Sequence, residues 1–242
     1  MLTIRCALLV AILSLLAVGL HAQHVSTSYT LSSKYVSRGL NTVNNWVLQT
    51  DVSLQLGNFT LSLWGNMELT NHNAPLYVRS KPAGTFTEWN LIAEYATARR
   101  GVQLAIGWIE YEYPGTGWER TREAYASLSW ERPFPLSIAL YQDLKAAQGA
   151  YLTLGGEIPL SGGWSVRADV GYGTERFNAY HYGSPAASWV DLTVGLTTQV
   201  ELGRGWSVKP ALWFSTLLDR RLLADAPNRQ NIWMSVELSY SR

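Results

Sequence analysis

Seven carboxylates, one arginine and two tryptophans are the residues of this chain best placed to do chemistry. Glu68, Glu88, Glu112, Glu123, Asp143, Glu175 and Asp191 fall at or near the same ends of successive amphipathic segments. Gathered at one mouth, they would form an acidic vestibule that concentrates cations. The same acids could instead form a hydrated rim, paired with loop arginines such as Arg79, Arg120, Arg176 and Arg220. Only Lys34, Arg38, Arg167 and Lys209 are basic residues on the polar face of a segment. Glu157 with Arg167, and Glu201 with Lys209, are expected as cross-strand neighbours around tight turns. Trp189 and Trp233 begin segments beside the acidic cluster and are the candidates for solute contact. Trp64, Tyr125, Tyr141, Tyr151 and Trp213 share their polar face, where rings could narrow a lumen or stack on a flat solute.

Catalytic chemistry is poorly provided for. Beyond the first 22 residues the histidines are His24, His72 and His181. A nucleophile needs a base within hydrogen-bond reach, and no Ser/His spacing places such a pair on neighbouring segment ends. His181 with Asp191 is the best acid–base candidate, but a loop histidine between Tyr180 and Tyr182 reads more simply as a surface contact. No Cys/His metal spacing and no phosphate-cradling glycine loop is present. No catalytic residue, metal site or cofactor is therefore expected.

The elements that position these groups repeat with a period of two. Trp46, Leu48, Val52, Leu54 and Leu56 oppose Gln49, Asp51, Ser53 and Gln55; Gly57-Asn58 turns the chain, and Phe59, Leu61, Leu63 and Met67 resume the apolar face. The alternation runs from Val25–Arg38 to a last segment with Ile232, Met234, Val236, Leu238 and Tyr240 on one face. Twelve such segments result, each near the roughly 9–11 residues that a tilted strand needs to cross a bilayer. Parity slips at Ile109 and Pro210 sits in mid-segment, so bulges or misplaced ends are expected there. Short turns, such as 99–101, 132–135, 161–163 and 203–205, alternate with longer loops at 70–85, 174–187 and 218–230. That asymmetry, with an apolar face closed on itself, predicts a transmembrane antiparallel up-and-down β-barrel. Outward rings gather near the turns (Phe59, Trp130, Trp164, Trp206, Tyr240) and near the loops (Trp46, Trp89, Tyr172), as two interfacial belts would.

Composition narrows the class further. Of 242 residues, 47% are hydrophobic and only 15% charged, with 12% aromatic and a formal net charge of +1. Disorder is excluded by so many rings and so few charges, and a nucleic-acid partner by the missing basic footprint. A multi-span helical membrane protein is excluded because only 8–20 is continuously apolar, short of the roughly 20 residues a spanning helix needs. Residues 1–22 read as a signal peptide: Arg5, an apolar stretch from Ala7 to Leu20, then Leu20-His21-Ala22. Residues 23–242 are the expected barrel domain, exported through the periplasm. The one cysteine, Cys6, falls in the leader.

Ser33-Lys34-Tyr35-Val36-Ser37-Arg38-Gly39, read as the end of the first strand and followed by an Asn/Thr-rich loop, resembles a family of small proteobacterial outer-membrane barrels without assigned activity. The hydrophobics at Met234, Val236, Leu238 and Tyr240 resemble the C-terminal signal read by the barrel-assembly machinery, with Arg242 where that signal ends in Phe. The resemblance implies a cell outer-membrane location, with outer-membrane lipids, lipopolysaccharide and the assembly machinery as partners. The resulting expectation is a small passive channel or solute-binding pore with an acidic lumen, taking small cationic or neutral solutes. A structural or surface-interaction barrel with a plugged lumen is the alternative, and an outer-membrane hydrolase the disfavoured one.

Overall fold

The computed structural model describes residues 24–71, 82–132, 134–223, 226 and 228–242. The expected signal peptide, His72, Arg79 and Asp225 lie outside the described residues.

Among the described residues, twelve antiparallel strands form the wall. They are β1 (His24–Ser32), β4 (Val47–Leu56), β5 (Phe59–Glu68), β6 (Thr85–Arg99), β7 (Val102–Glu112), β8 (Thr121–Trp130), β9 (Leu136–Asp143), β10 (Ala150–Pro159), β11 (Trp164–Gly173), β12 (Ser188–Thr198) with its continuation β13 (Val200–Gly203), β14 (Trp206–Leu217) and β15 (Gln230–Ser241). Each pairs with its neighbour in sequence, and β1 pairs with β15 through Thr27 opposite Tyr240 and Leu31 opposite Val236. The sheet is therefore a closed barrel without a free edge, the form in which β-structure satisfies its backbone in lipid.

The sequence dictates the wall in a simple way. Leu91 is 51% exposed, Ile106 53% and Ile232 63%, each on the outer face of its strand. Apolar exposure on this scale, continued around the barrel, suits hydrocarbon and not water. Outward rings meet at both ends: across strands near the short turns, Phe59 with Tyr95 (4.9 Å) and Trp206 with Tyr240 (5.0 Å), and along β6 near the long loops, Phe86 with Trp89 (4.1 Å). The turns Arg100-Gly101 and Arg204-Gly205 hold both residues at positive φ, the primed geometry whose twist matches the flanking strands.

Five expectations are corrected. The first strand does not run to Arg38. It stops at Ser32, whose hydroxyl donates to the Lys34 carbonyl (2.7 Å). Two short strands follow, β2 (Tyr35–Ser37) and β3 (Leu40–Val43), which pair only with each other. Leu40 to Val43 are all buried, so this hairpin lies inside the barrel and not in its wall.

At Ile109 there is no bulge: β7 keeps continuous register with β6 and β8. Ile109 is buried and points inward, while Glu110 shares the outer face with its β6 partner Leu91. That outer carboxylate is compensated by the Trp108 indole N–H (3.0 Å) and by Arg122 (3.8 Å).

Pro210 sits in a regular stretch of β14 opposite Val236. The irregularity is in the neighbouring strand, which breaks between Thr198 and Val200, so the proline faces a gap where no ladder bond is needed.

Trp189 does not face the lumen. A register shift at Gly171/Tyr172 makes Tyr172 the partner of Trp189 and Gly171 the partner of Asp191. The extra residue, Val190, is fully buried, and Trp189 turns outward, 47% exposed against the Tyr172 ring (5.5 Å). Of the two pairs expected as cross-strand neighbours near the turns, one is formed and one is not. Glu157 and Arg167 are strand partners, but the guanidinium binds Asp169 (2.7 and 2.8 Å). Lys209 stands opposite Glu237, not Glu201.

Candidate functional site

The inner hairpin turns at Arg38 and Gly39, with φ of 49° and 78°. A Cβ on Gly39 would lie 2.6 Å from the Asp191 Cβ and 2.8 Å from Leu217, so glycine serves both the left-handed backbone and the close approach to the wall. The turn carries Arg38 across the lumen to β8. Its Nη1 and Nη2 each donate to one Glu123 carboxylate oxygen at 2.7 Å. Glu123 also accepts from the Tyr111 hydroxyl at 2.7 Å. The guanidinium lies over the rings of Tyr151 (4.7 Å), Tyr141 (5.1 Å) and Phe177 (5.2 Å). A delocalised, weakly hydrated cation tolerates such a setting where an ammonium would not.

Phe177 comes from the loop between β11 and β12. There Glu175–Tyr182 forms helix α1, which ends at Gly183 in the left-handed region with its N–H bonded to the Asn178 carbonyl. Thr174 before it, Glu175 in its first turn and Gly183 after it are helix start and stop signals. The helix is pinned over the mouth by Asn178, whose Nδ2 donates to the Ala186 (2.7 Å) and Gly173 (3.2 Å) carbonyls. Its buried rings join Leu40, Tyr151, Val190, Leu217 and Leu222 in one apolar cluster. The Tyr182 hydroxyl donates to the Arg38 carbonyl at 2.5 Å, so helix and hairpin are tied directly.

Three further acids are satisfied one by one. Glu88 accepts from Tyr35 of the hairpin and from Asn90, each at 3.0 Å. Asp191 accepts from the Tyr151 hydroxyl at 2.7 Å. Asp143 accepts from Thr121 (2.7 Å) and from the backbone N–H groups of Lys145, Ala147 and Gln148. Between hairpin, helix and wall a cavity of about 210 Å³ remains, lined by Tyr35, Arg38, Glu88, Tyr111, Glu123 and His181 among others. Burial and the Arg38 charge push the His181 imidazole down to about 4, so it is neutral at neutral pH.

Of the expected site residues, the structure brings Arg38, Glu88, Glu123, Asp143 and Asp191 together, all except Arg38 nearly fully buried. Glu68 is buried at the end of β5. Glu112 is exposed beside Arg120 (3.7 Å), and Glu175 is exposed at the start of α1. Trp233 faces inward and stacks on Trp213 (6.1 Å). His181 and Asp191 make no contact as an acid–base pair: one lies against the Phe177 ring (4.3 Å), the other is held by Tyr151. Among the described residues no group of three or more His, Cys, Asp or Glu could hold a metal ion. The sequence reading missed the phenols of Tyr35, Tyr111 and Tyr182 and the Phe177 ring. The helix signals around 174–183 could have revealed the last two.

The fold has solved counterparts. The KdgM porin in complex with disordered oligogalacturonate superposes with a TM-score of 0.54 at 11% identity, covering 90% of this chain and 98% of that one. The NanC porin gives 0.56 at 12%, covering 89% and 98%. The COG4313 outer membrane channel from Pseudomonas putida F1 gives 0.54 at 10%, covering 91% and 96%. At these identities the likeness is one of fold: the chain has the architecture of outer-membrane porins and channels. A comparison with curated proteins finds no match. The model of a bacterial protein family of unknown function, Gcw_chp, matches residues 19–233, and the chain belongs to that family.

Proposed function

We propose that the protein is a small passive solute channel of the outer membrane, exported through the periplasm, whose mouth is narrowed by the β2–β3 hairpin and helix α1. The observation that carries this reading is the Arg38–Glu123 pair. It ties a hairpin that belongs to no wall sheet to the opposite side of the lumen. A barrel that served only as a wall would not need a polar insert bonded across the lumen at this point, whereas a channel uses one to set its bore and its charge. The porin-like fold, including a counterpart described with an oligosaccharide, supports passage of small solutes. Outer-membrane lipids, lipopolysaccharide and the barrel-assembly machinery follow as partners from that location. The mouth carboxylates favour cations only where Arg38 does not offset them, so the lumen is acidic in composition but locally balanced. The acid–base pair that the sequence suggested, His181 with Asp191, is not formed, since each has another partner.

One observation favours the second reading, a plugged structural barrel: the insert is held by aromatic packing as well as by charge. Reconstitution into planar bilayers separates the two. A channel shows discrete conductance steps in the unmodified protein. A plug shows none, and none after the hairpin is unlatched.

A further inference from the structure

Past Tyr35 and Trp64, on the other side of the hairpin from the Arg38 pocket, the lumen holds a second cavity of about 440 Å³. This lies within the roughly 300–1,000 Å³ of small-molecule sites. Its lining joins three indoles to four charges. Trp213 and Trp233 are direct strand partners with planes 15° apart, and the Trp213 N–H is satisfied by the Ser235 hydroxyl (3.1 Å). Trp64 stands on β5 beside the Tyr35 ring (5.7 Å). Lys34 comes from the start of the hairpin segment, Lys209 from β14, Asp51 from β4 and Glu237 from β15.

The charges cancel in number without closing on each other. Among the described residues, neither lysine lies within ion-pair distance of a carboxylate. Glu237 accepts a long bond from Thr30 (3.4 Å), and Asp51 accepts from Ser53 (2.7 Å). An anion here would meet two carboxylates and a cation two ammonium groups. An aliphatic chain would strip water from all four. The lysines can only donate and the carboxylates only accept. A ligand that satisfies both must carry donors and acceptors around its rim, with an apolar face for the indoles.

We propose that this cavity is a binding site for a neutral saccharide of one or two rings, whose C–H face stacks on Trp213 and Trp233 and whose hydroxyls bridge Lys34, Lys209, Asp51 and Glu237. The proposal rests on the reading that the barrel admits solutes, but its test does not require conduction.

The test uses the full-length protein refolded in detergent micelles, with sucrose as the probe and galacturonate and glucosamine as charged counterparts. Saturation-transfer NMR and equilibrium titration read binding directly. Sucrose is expected to bind, and to bind better than either charged sugar. Replacing both indoles (Trp213→Ala with Trp233→Ala) should weaken it about tenfold or more. Trp206→Ala, on the outer face, should leave it unchanged. If the double variant does not fold, Lys34→Met gives the second measurement, with an expected loss of several-fold. Absence of sucrose binding, binding indifferent to these substitutions, or preference for a charged sugar overturns the site. A barrel that binds sucrose but never conducts overturns the channel reading and leaves the site standing.

Discussion

Arg38 and Glu123, 85 residues apart in sequence, meet through two parallel 2.7 Å hydrogen bonds inside the barrel. One partner sits on the turn of an inserted hairpin and the other on the wall, so the bond spans the lumen. Neither charge can be removed alone without leaving the other buried, a loss of about 3–5 kcal/mol in comparable pairs.

Glu123→Gln should therefore undock the hairpin. The expected result is a higher single-channel conductance, and a reversal potential under a salt gradient shifted toward anions as Arg38 is left without its carboxylate. Arg38→Lys keeps the charge but loses the fork and the ring stacking, so it should fall between wild type and Glu123→Gln. Unchanged conductance in both variants would show that the hairpin is not the constriction.

Strand facing can be read by inserting charge. Leu154 on β10 faces outward and Thr153 inward, toward Ala139 and Gly171 of the adjacent strands. Leu154→Arg should impair assembly by about 2–4 kcal/mol, the cost of arginine near the bilayer midplane. Thr153→Arg should fold to near wild-type yield. Heat-modifiable gel migration of the refolded protein measures both.

The docked mouth should loosen in acid. His181 lies against Phe177 and near Arg38, Glu123 and Asp143, with Tyr180 and Tyr182 beside it. Its pKa is about 4 when docked and is expected at about 6.5 when the loop is open to water. A base with a lowered folded-state pKa favours the docked form fully above the open-state value, and that contribution is lost as pH falls from about 6.5 toward 4. Protease cleavage in the 174–187 loop should therefore rise through this window. His181→Gln should remove that component of the rise while leaving any part due to the buried carboxylates. An identical pH profile in the variant would rule His181 out as the cause.

The barrel was legible in the sequence because lipid and lumen alternate along a strand, so each of the twelve wall strands carries its own record of facing. What broke that record was local. Tyr35 continues the parity of Tyr29 and Leu31, so nothing in the alternation marks the chain's departure from the wall at Ser32. The Arg38-Gly39 turn has the primed geometry without the usual Asn-Gly or Asp-Gly pair. At Val190 a bulge sets two successive residues inward, which no period of two can encode, and Trp189 was misassigned as a consequence. The parity slip at Ile109 comes from Glu110, a carboxylate on the lipid side, where charge is costly. It is tolerated near the strand end by Trp108 and Arg122, a compensation visible only once β7 and β8 are in register. The candidate acids were found in part because they are charged, and the wall rings Tyr141 and Tyr151 because they share the polar face, whereas Phe177, the third ring over Arg38, lies in a loop outside the alternation.

Gly39 offers the most direct test of how closely the hairpin packs. Gly39→Ala and Gly57→Ala both place a side chain at positive φ, 78° and 62° respectively, and so share a backbone strain of about 1 kcal/mol. Gly57 has nothing within 4 Å of a new Cβ, while Gly39 has Asp191 at 2.6 Å and Leu217 at 2.8 Å. Strain alone predicts equal effects. Close packing predicts that Gly39→Ala displaces the turn, draws Arg38 off Glu123 and reproduces the raised conductance of Glu123→Gln, while Gly57→Ala changes only thermal stability. The comparison holds backbone strain nearly constant, so any difference in conductance reports the contact between hairpin and wall. Equal conductance in the two variants would mean that the hairpin has room to shift without drawing Arg38 off Glu123.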